Sequence, residues 1–173
     1  LAVSTMGRGC WIMDDISPLH RGERIEGNNS TVLFKPKDSY RFRARGTGRG
    51  TVPEYHTSGV IVNYAINEEP TGKIRIGIQN SAGETIRTYS SASSDNEEQS
   101  TTAMATGFTM RTGTTQLKKI TGTHRFRWDM RHAGAWDENP KRAFRNGPVA
   151  APGKYTVTMN VNGKTESQSF ELL

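Results

Sequence analysis

The chain has one cysteine, Cys10. A lone thiol excludes an internal disulfide framework and any zinc site built from several cysteines. Hydrophobic residues fill only 33% of the 173 positions. One modest core with long exposed loops is therefore expected, rather than two full cores. No run approaches the roughly 18–20 apolar residues that a membrane-spanning helix needs. Leu1 to Thr5 has neither a charged start nor a long apolar stretch, so it does not read as a signal peptide. The first residue is not methionine, and the expectation is a processed or partial piece of a longer product. No heptad, internal repeat or helix of ordinary length is evident. Frequent glycine and scattered proline suit many short strands and turns.

The formal charge is +6. Its charges are mostly dispersed, as on a mildly basic solvated surface. The dense exception is Arg41, Arg43, Arg45 and Arg49, interleaved at its start with Tyr40 and Phe42. Such a cluster can contact phosphates. No nucleic-acid-binding motif surrounds it, so nucleic acid is not the expected partner. Arg41 and Arg43 are instead taken as candidate contacts to a protein partner.

Strand signals run along most of the chain. Residues 1–16 read as β structure, with Ala2 to Thr5 and Cys10 to Met13 on either side of the turn signal Gly7-Arg8-Gly9. An isolated hairpin is marginal in water, so this piece is expected to pack on something else. Residues 21–56 read as a turn-rich connector, with Val32-Leu33-Phe34 as a short extended piece. Val60 to Ile66 is the first regular strand. Ile74, Ile76 and Ile78 alternate with Arg75, Gly77 and Gln79, which marks a half-buried strand. Asn80 to Glu84 turns the chain, and Thr85 to Tyr89 returns. A long loop rich in Ser, Thr and acidic residues is expected at about 90–116. Asn162-Gly163 is the preferred pair for a type I′ hairpin, with Phe170 and Leu172 on one face of the strand that follows.

The end of the chain carries the clearest burial pattern. His124, Phe126, Trp128 and Met130 share one face of an extended run. Tyr155, Val157, Met159 and Val161 share one face of a second. The expected core comprises Trp128, Phe126, Tyr155, Val157, Ile74, Ile76 and Ile78. A buried Trp128 needs an acceptor for its indole N–H. Asp129 falls on the opposite face, where it suits the capping of backbone amides.

Few residues suggest chemistry. Asp14-Asp15 is a paired carboxylate, but neighbours on a strand point to opposite faces and are poorly placed to share a substrate. His20, His56, His124 and His132 lack metal-ligand spacing. No Gly-Xaa-Ser-Xaa-Gly elbow is present. No catalytic, metal-binding or cofactor-binding residue is assigned, and no cofactor is expected. Trp11 and Trp136 are candidate partner contacts, Trp136 because it lies in the Gly134 to Gly147 loop.

Two segments carry a family likeness. The segment His124-Arg125-Phe126-Arg127-Trp128-Asp129-Met130-Arg131, with Gly147-Pro148-Val149-Ala150-Ala151-Pro152-Gly153-Lys154-Tyr155-Thr156-Val157, resembles the C-terminal immunoglobulin-like domain of bacterial sortilin-like, BNR-repeat propeller proteins, often labelled glycosyl hydrolases. The Trp-Asp and Pro-Gly-Xaa-Tyr arrangement also looks like the immunoglobulin-like module of flagellar hook-capping proteins. Met6 to Leu19 is similar to the segment that closes the propeller in that family, with Cys10 where an aromatic usually stands. Leu33 to Phe42 is similar to the connector that follows.

The resemblance implies an immunoglobulin-like β-sandwich of fibronectin III or hook-capping type over 57–173. A connector at 21–56 and a terminal propeller strand segment at 1–20 would precede it. It implies an exported location, periplasmic, extracellular or at the cell surface, and a β-propeller partner from the same or another polypeptide. The expected role is a non-catalytic structural and interaction module. The alternative is part of a glycan-binding or glycoside-hydrolysing propeller enzyme, with glycan as ligand. The Ser-Xaa-Asp-Xaa-Gly-Xaa-Thr-Trp box of propeller hydrolase blades is absent, so the hydrolase label does not transfer to these residues.

Overall fold

Val60-Ile61-Val62-Asn63-Tyr64-Ala65-Ile66 is apolar at almost every position, and in the folded chain six of its seven residues are buried. A strand covered on both faces needs this continuous pattern instead of alternation. The computed structural model describes residues 2–7, 9–12, 16, 18, 30–42, 58–92, 117–134 and 146–173, with only the backbone at 5, 10–12 and 146. These residues are all-β, in several antiparallel sheets. In chain order the strands are β1 Ala2–Thr5, β2 Gly9–Ile12, β3 Thr31–Leu33, β4 Val60–Ile66, β5 Ile74–Gln79 and β6 Thr85–Ser90. They continue with β7 Gly122–Trp128, β8 Arg131–Ala133, β9 Asn146–Val149, β10 Gly153–Val161 and β11 Lys164–Leu172.

Two sheets enclose the main core. One has the order β11-β10-β5-β6 and the other β3-β4-β7. Ile74, Ile76, Ile78, Tyr155, Val157, Met159 and Phe170 from the first meet Leu33, Val62, Tyr64, Phe126 and Trp128 from the second in one hydrophobic cluster. This arrangement fits a β-sandwich. Ile74, Ile76 and Ile78 are all fully buried. Burying such a side chain contributes about 1.5–3 kcal/mol, against about 1 kcal/mol net for a hydrogen bond, so apolar packing decides which face turns inward. A second cluster of Val32, Phe34 and Ala65 is also buried. It involves the alternate positions of β3 and β4, which explains the two-sided apolar pattern of β4.

Local chemistry sets the hairpins. Asn80 Oδ1 accepts the amides of Ala82 and Glu84 at 3.0 and 2.9 Å, closing the turn between β5 and β6. Asn162 and Gly163 both have positive φ, 49° and 81°, as a type I′ turn requires. Asn162 Oδ1 also accepts the Gly72 amide at 3.0 Å, tying this turn to the loop between β4 and β5.

The His124 and Tyr155 runs belong to different sheets. β7 pairs with β4, while β10 pairs with β5 and β11. The loop between them carries a small hairpin of its own, β8 with β9. Met130 is buried, but it lies past the end of β7 with φ of 58°, outside the alternation that brings Phe126 and Trp128 inward. Its carbonyl accepts the Ala150 amide at 2.7 Å.

Residues 30–42 fall within the expected connector, yet they run along both sheets. β3 pairs antiparallel with β4. The chain then crosses to the other sheet, where Ser39 bridges Leu172 in parallel. Asp38 Oδ1 accepts the Glu171 amide at 2.8 Å at the start of this seam. The N-terminal piece forms its own two-stranded sheet, with Val3 opposite Trp11. The loop expected at about 90–116 lies outside the described residues from 93 onward; where the chain is described again, the Leu117 amide donates to the Ser90 carbonyl at 3.3 Å.

Polar residues at inward register close the free edge of β3. Glu166 and Gln168 occupy the same alternate positions of β11 as Phe170 and Leu172. Glu166 Oε2 accepts the Leu33 amide at 2.7 Å, and Gln168 Nε2 donates to the Leu33 carbonyl at 3.4 Å. The two side chains thus supply what a neighbouring strand would. Glu166→Leu is expected to cost about 1–3 kcal/mol, because it leaves the buried Leu33 amide without its acceptor. Glu166→Gln keeps an acceptor and costs less. Denaturant midpoints rank the two variants, and hydrogen exchange at the Leu33 amide reports whether β3 opens.

Candidate functional site

Two neighbourhoods gather polar and aromatic groups, one at the end of β7 and one beside the start of β10. At the end of β7, Trp128 is fully buried and its Nε1 donates to the Arg131 carbonyl at 3.0 Å. Asp129 Oδ1 accepts the Arg131 amide at 3.2 Å. Arg87, from β6, donates to the His132 carbonyl at 2.9 Å and lies 3.8 Å from Asp129 Oδ1. Its guanidinium stands over the Tyr89 ring, 5.5 Å from the centroid. Arg131 reaches the Gly147 carbonyl at 3.3 Å. These hydrogen bonds join backbone and side chains of the β7–β8 bend to β6 and β9, so the cluster fixes the bend. Asp129 is the most accessible of the pair, with 38% of its side chain exposed against 10% for Arg87.

The second neighbourhood lies where β10 begins. Tyr155 is buried, and its hydroxyl donates to the Ala151 carbonyl at 2.6 Å, four residues upstream. Its ring lies 5.5 Å from that of Trp128 and 6.0 Å from that of Phe170, within the range of favourable aromatic pairs. Arg41 Nη1 donates to the Ala150 carbonyl at 3.3 Å. Burial raises the Tyr155 phenol above its ordinary value, and the nearby Arg41 charge opposes that shift. Arg41, singled out in the sequence for charge, therefore stands beside a core residue singled out for hydrophobicity. The corner joining them has only a faint sequence signal, the Pro152-Gly153-Lys154-Tyr155 string.

The remaining expected residues divide plainly. Phe126, Val157, Ile74, Ile76 and Ile78 are buried in the main core. The backbone of Trp11 pairs in β2, its side chain being outside what is described, and Trp136 and Arg43 lie outside the described residues, as do Asp14, Asp15, His20 and His56. His124 is half-buried; its Nε2 lies 2.6 Å from the Ile120 carbonyl, and its ring is 5.3 Å from that of Tyr64. Among the described residues no group of three or more His, Cys, Asp or Glu side chains could hold a metal ion. No helix there is long and apolar enough to cross a membrane.

Buried phenols give the core a pH dependence. Tyr64 donates to the Lys118 carbonyl at 2.8 Å, and burial pushes its pKa up to about 12, against the smaller opposing effect of that bond. Burial also raises Tyr89, with Arg87 lowering it and Asp129 adding to the rise. Above about pH 10 the unfolded chain releases these protons while the folded chain keeps them, so stability falls as pH rises toward 12. Denaturant melts across that window are expected to show a steepening loss, and Tyr64→Phe to remove part of the slope. A flat profile in the wild type would contradict the burial of both phenols.

No protein-family model, curated protein or solved structure matches this chain.

Proposed function

We propose that the chain is a non-catalytic structural and interaction module of immunoglobulin-like, fibronectin III type. In this reading it is carried after a β-propeller in an exported or cell-surface protein, and it serves assembly with that propeller or another subunit. The observation that carries the module type is Tyr155. A tyrosine near the start of a strand, bonding back to the backbone a few residues upstream, is the tyrosine corner of immunoglobulin-like sandwiches. The Tyr155 hydroxyl bond to the Ala151 carbonyl has that form. The opposition of a three-stranded sheet to a four-stranded one further supports it. With one cysteine the chain has no cross-sheet disulfide, and Trp128 with Tyr155 and Phe170 fills the middle of the core instead.

The non-catalytic part of the reading rests on how the polar groups are used. Arg87, Asp129, Arg131, Glu166 and Tyr155 all hold backbone groups of the scaffold or one another. The test uses the complete gene product, with a glycan array, a glycoside hydrolase assay and fractionation of the culture. Deleting 30–173 is expected to reduce the assembled, exported protein. Asp14→Asn, Asp15→Asn and Trp136→Ala are expected to leave glycan turnover per folded molecule unchanged. Turnover abolished by any of the three with the fold intact would favour a propeller enzyme. Retention of the product in the cytoplasm would remove the exported setting.

A further inference from the structure

We propose that Asn162-Gly163 is a self-modification site, where the chain converts Asn162 to isoaspartate and aspartate without an enzyme, and that the bond from the Gly72 amide to the Asn162 side chain slows the conversion. This goes beyond the interaction-module reading and does not rest on it. Two Asn-Gly pairs occur in the sequence, Asn146-Gly147 and Asn162-Gly163. An asparagine side-chain amide is open to attack by the backbone nitrogen of the next residue, and a glycine there has no side chain to obstruct the approach. Asn162 and Gly163 are both exposed, at the tip of the β10–β11 hairpin. A two-residue turn is closed by its flanking residues, here Val161 and Lys164, so the Gly163 N–H has no place in the ladder. It takes no hydrogen-bond partner among the described residues. The attacking nitrogen is therefore unpaired and accessible to base in solution.

The chemistry balances with water as the only co-reactant. Base in solution takes the Gly163 amide proton, and the nitrogen forms a bond to Asn162 Cγ. The Cγ–Nδ2 bond breaks and ammonia leaves, closing a succinimide ring. Water then opens the ring at either carbonyl. Attack at Cγ leaves aspartate; attack at the main-chain carbon leaves isoaspartate, with Cβ inserted into the backbone. Nothing is oxidised or reduced. The fold sets the rate through the Asn162 side chain, whose Oδ1 accepts the Gly72 amide at 3.0 Å. Ring closure turns that side-chain amide toward the Gly163 nitrogen, which the bond to Gly72 resists. The bond is exposed, so water competes for both of its groups and the restraint is mild. Gly72 fits closely here: an added Cβ would lie 2.9 Å from Asn162 Oδ1 and push the side chain off its tie. The other pair is held differently. Asn146 pairs with Ala133 in the β8–β9 hairpin, and a Cβ added at Gly147 would run into the Ala133 carbonyl. That backbone is pressed against its neighbour, which opposes the rotation that ring closure needs. The two products also differ. Aspartate keeps an acceptor for the Gly72 amide. Isoaspartate lengthens the two-residue turn by a backbone atom and releases the tie.

The test incubates the intact folded chain in mildly alkaline buffer over days, followed by peptide mass spectrometry with electron-based fragmentation to tell isoaspartate from aspartate. Conversion is expected at Asn162, faster than at Asn146 by about tenfold or more. Gly163→Ala, which keeps the turn at a small conformational cost, is expected to slow it about tenfold or more, because the added methyl group obstructs the nitrogen. Gly72→Ala displaces the Asn162 side chain and is expected to speed it about fivefold, the worth of one exposed hydrogen bond. Should Gly72→Ala fail to fold, hydrogen exchange on the wild-type chain decides. The Gly72 amide is expected to be protected at the start and to lose protection in step with isoaspartate, while Asn162→Asp, which carries the aspartate product from the outset, keeps it. No conversion at Asn162, equal or faster conversion at Asn146, or an unchanged rate in Gly163→Ala would each overturn the modification site. An unchanged or slower rate in a folded Gly72→Ala, or an unprotected Gly72 amide in the fresh chain, would overturn the role given to the tie.

Discussion

Trp128→Ala is expected to lower the unfolding free energy of the chain by about 3–5 kcal/mol. Trp128 is fully buried on β7, where its ring lies 5.5 Å from Tyr155 and 6.2 Å from Phe170, both across the core in the other sheet. Truncation opens a cavity between the layers that neighbours held on separate sheets cannot fill by small movements. It also removes the donor to the Arg131 carbonyl, which helps fix the bend between β7 and β8. Trp128→Phe separates the two contributions. It keeps most of the apolar contact, leaves the Arg131 carbonyl unmet, and is expected to cost about 1–3 kcal/mol. Equilibrium denaturation followed by far-ultraviolet circular dichroism measures both. A Trp128→Ala chain that stays folded with an unchanged midpoint would contradict the central place of this residue between the sheets.

The parts of this fold that were legible in the sequence are those that local chemistry determines. Ile74, Ile76 and Ile78 announce a strand with one wet face, and Asn162-Gly163 announces its turn, because side-chain period and φ preference act within a few residues. Phe126 and Trp128 were readable as inward for the same reason. Alternation tells in from out but not which strand lies next door. The His124 and Tyr155 runs therefore gave no sign that they belong to opposite sheets. The crossing of residues 30–42 from β4 to β11 is made by backbone hydrogen bonds, which carry no side-chain signature. Glu166 and Gln168 look like surface residues until β3 supplies an amide and a carbonyl that need them. β8 is only three residues long, too short to show any period. Among the candidate contacts, Arg41 was visible through charge density.

Gly59→Ala is the companion prediction, an expected loss of about 2–5 kcal/mol from the addition of one methyl group. Gly59 immediately precedes β4 and has φ of 145°, a backbone conformation that residues with a Cβ rarely adopt. Its surroundings add a second obstacle. A Cβ there would lie 2.7 Å from the Trp128 carbonyl oxygen and 2.8 Å from Arg127 Cγ. The Arg127 stem can move aside, but the carbonyl belongs to the end of β7, which pairs with β4 through the Val60–Trp128 register. Relief therefore requires shifting the end of the strand that holds Trp128, coupling this glycine to the aromatic cluster. Gly163 supplies the comparison. Its φ is 81°, but no atom lies within 4 Å of an added Cβ. Gly163→Ala meets only the conformational cost, about 1 kcal/mol, with no steric one. Thermal melts of the two variants thus weigh close approach against backbone preference. Equal losses would mean that the contact with Trp128 contributes nothing, and that β7 and β4 can separate at this end without disturbing the core.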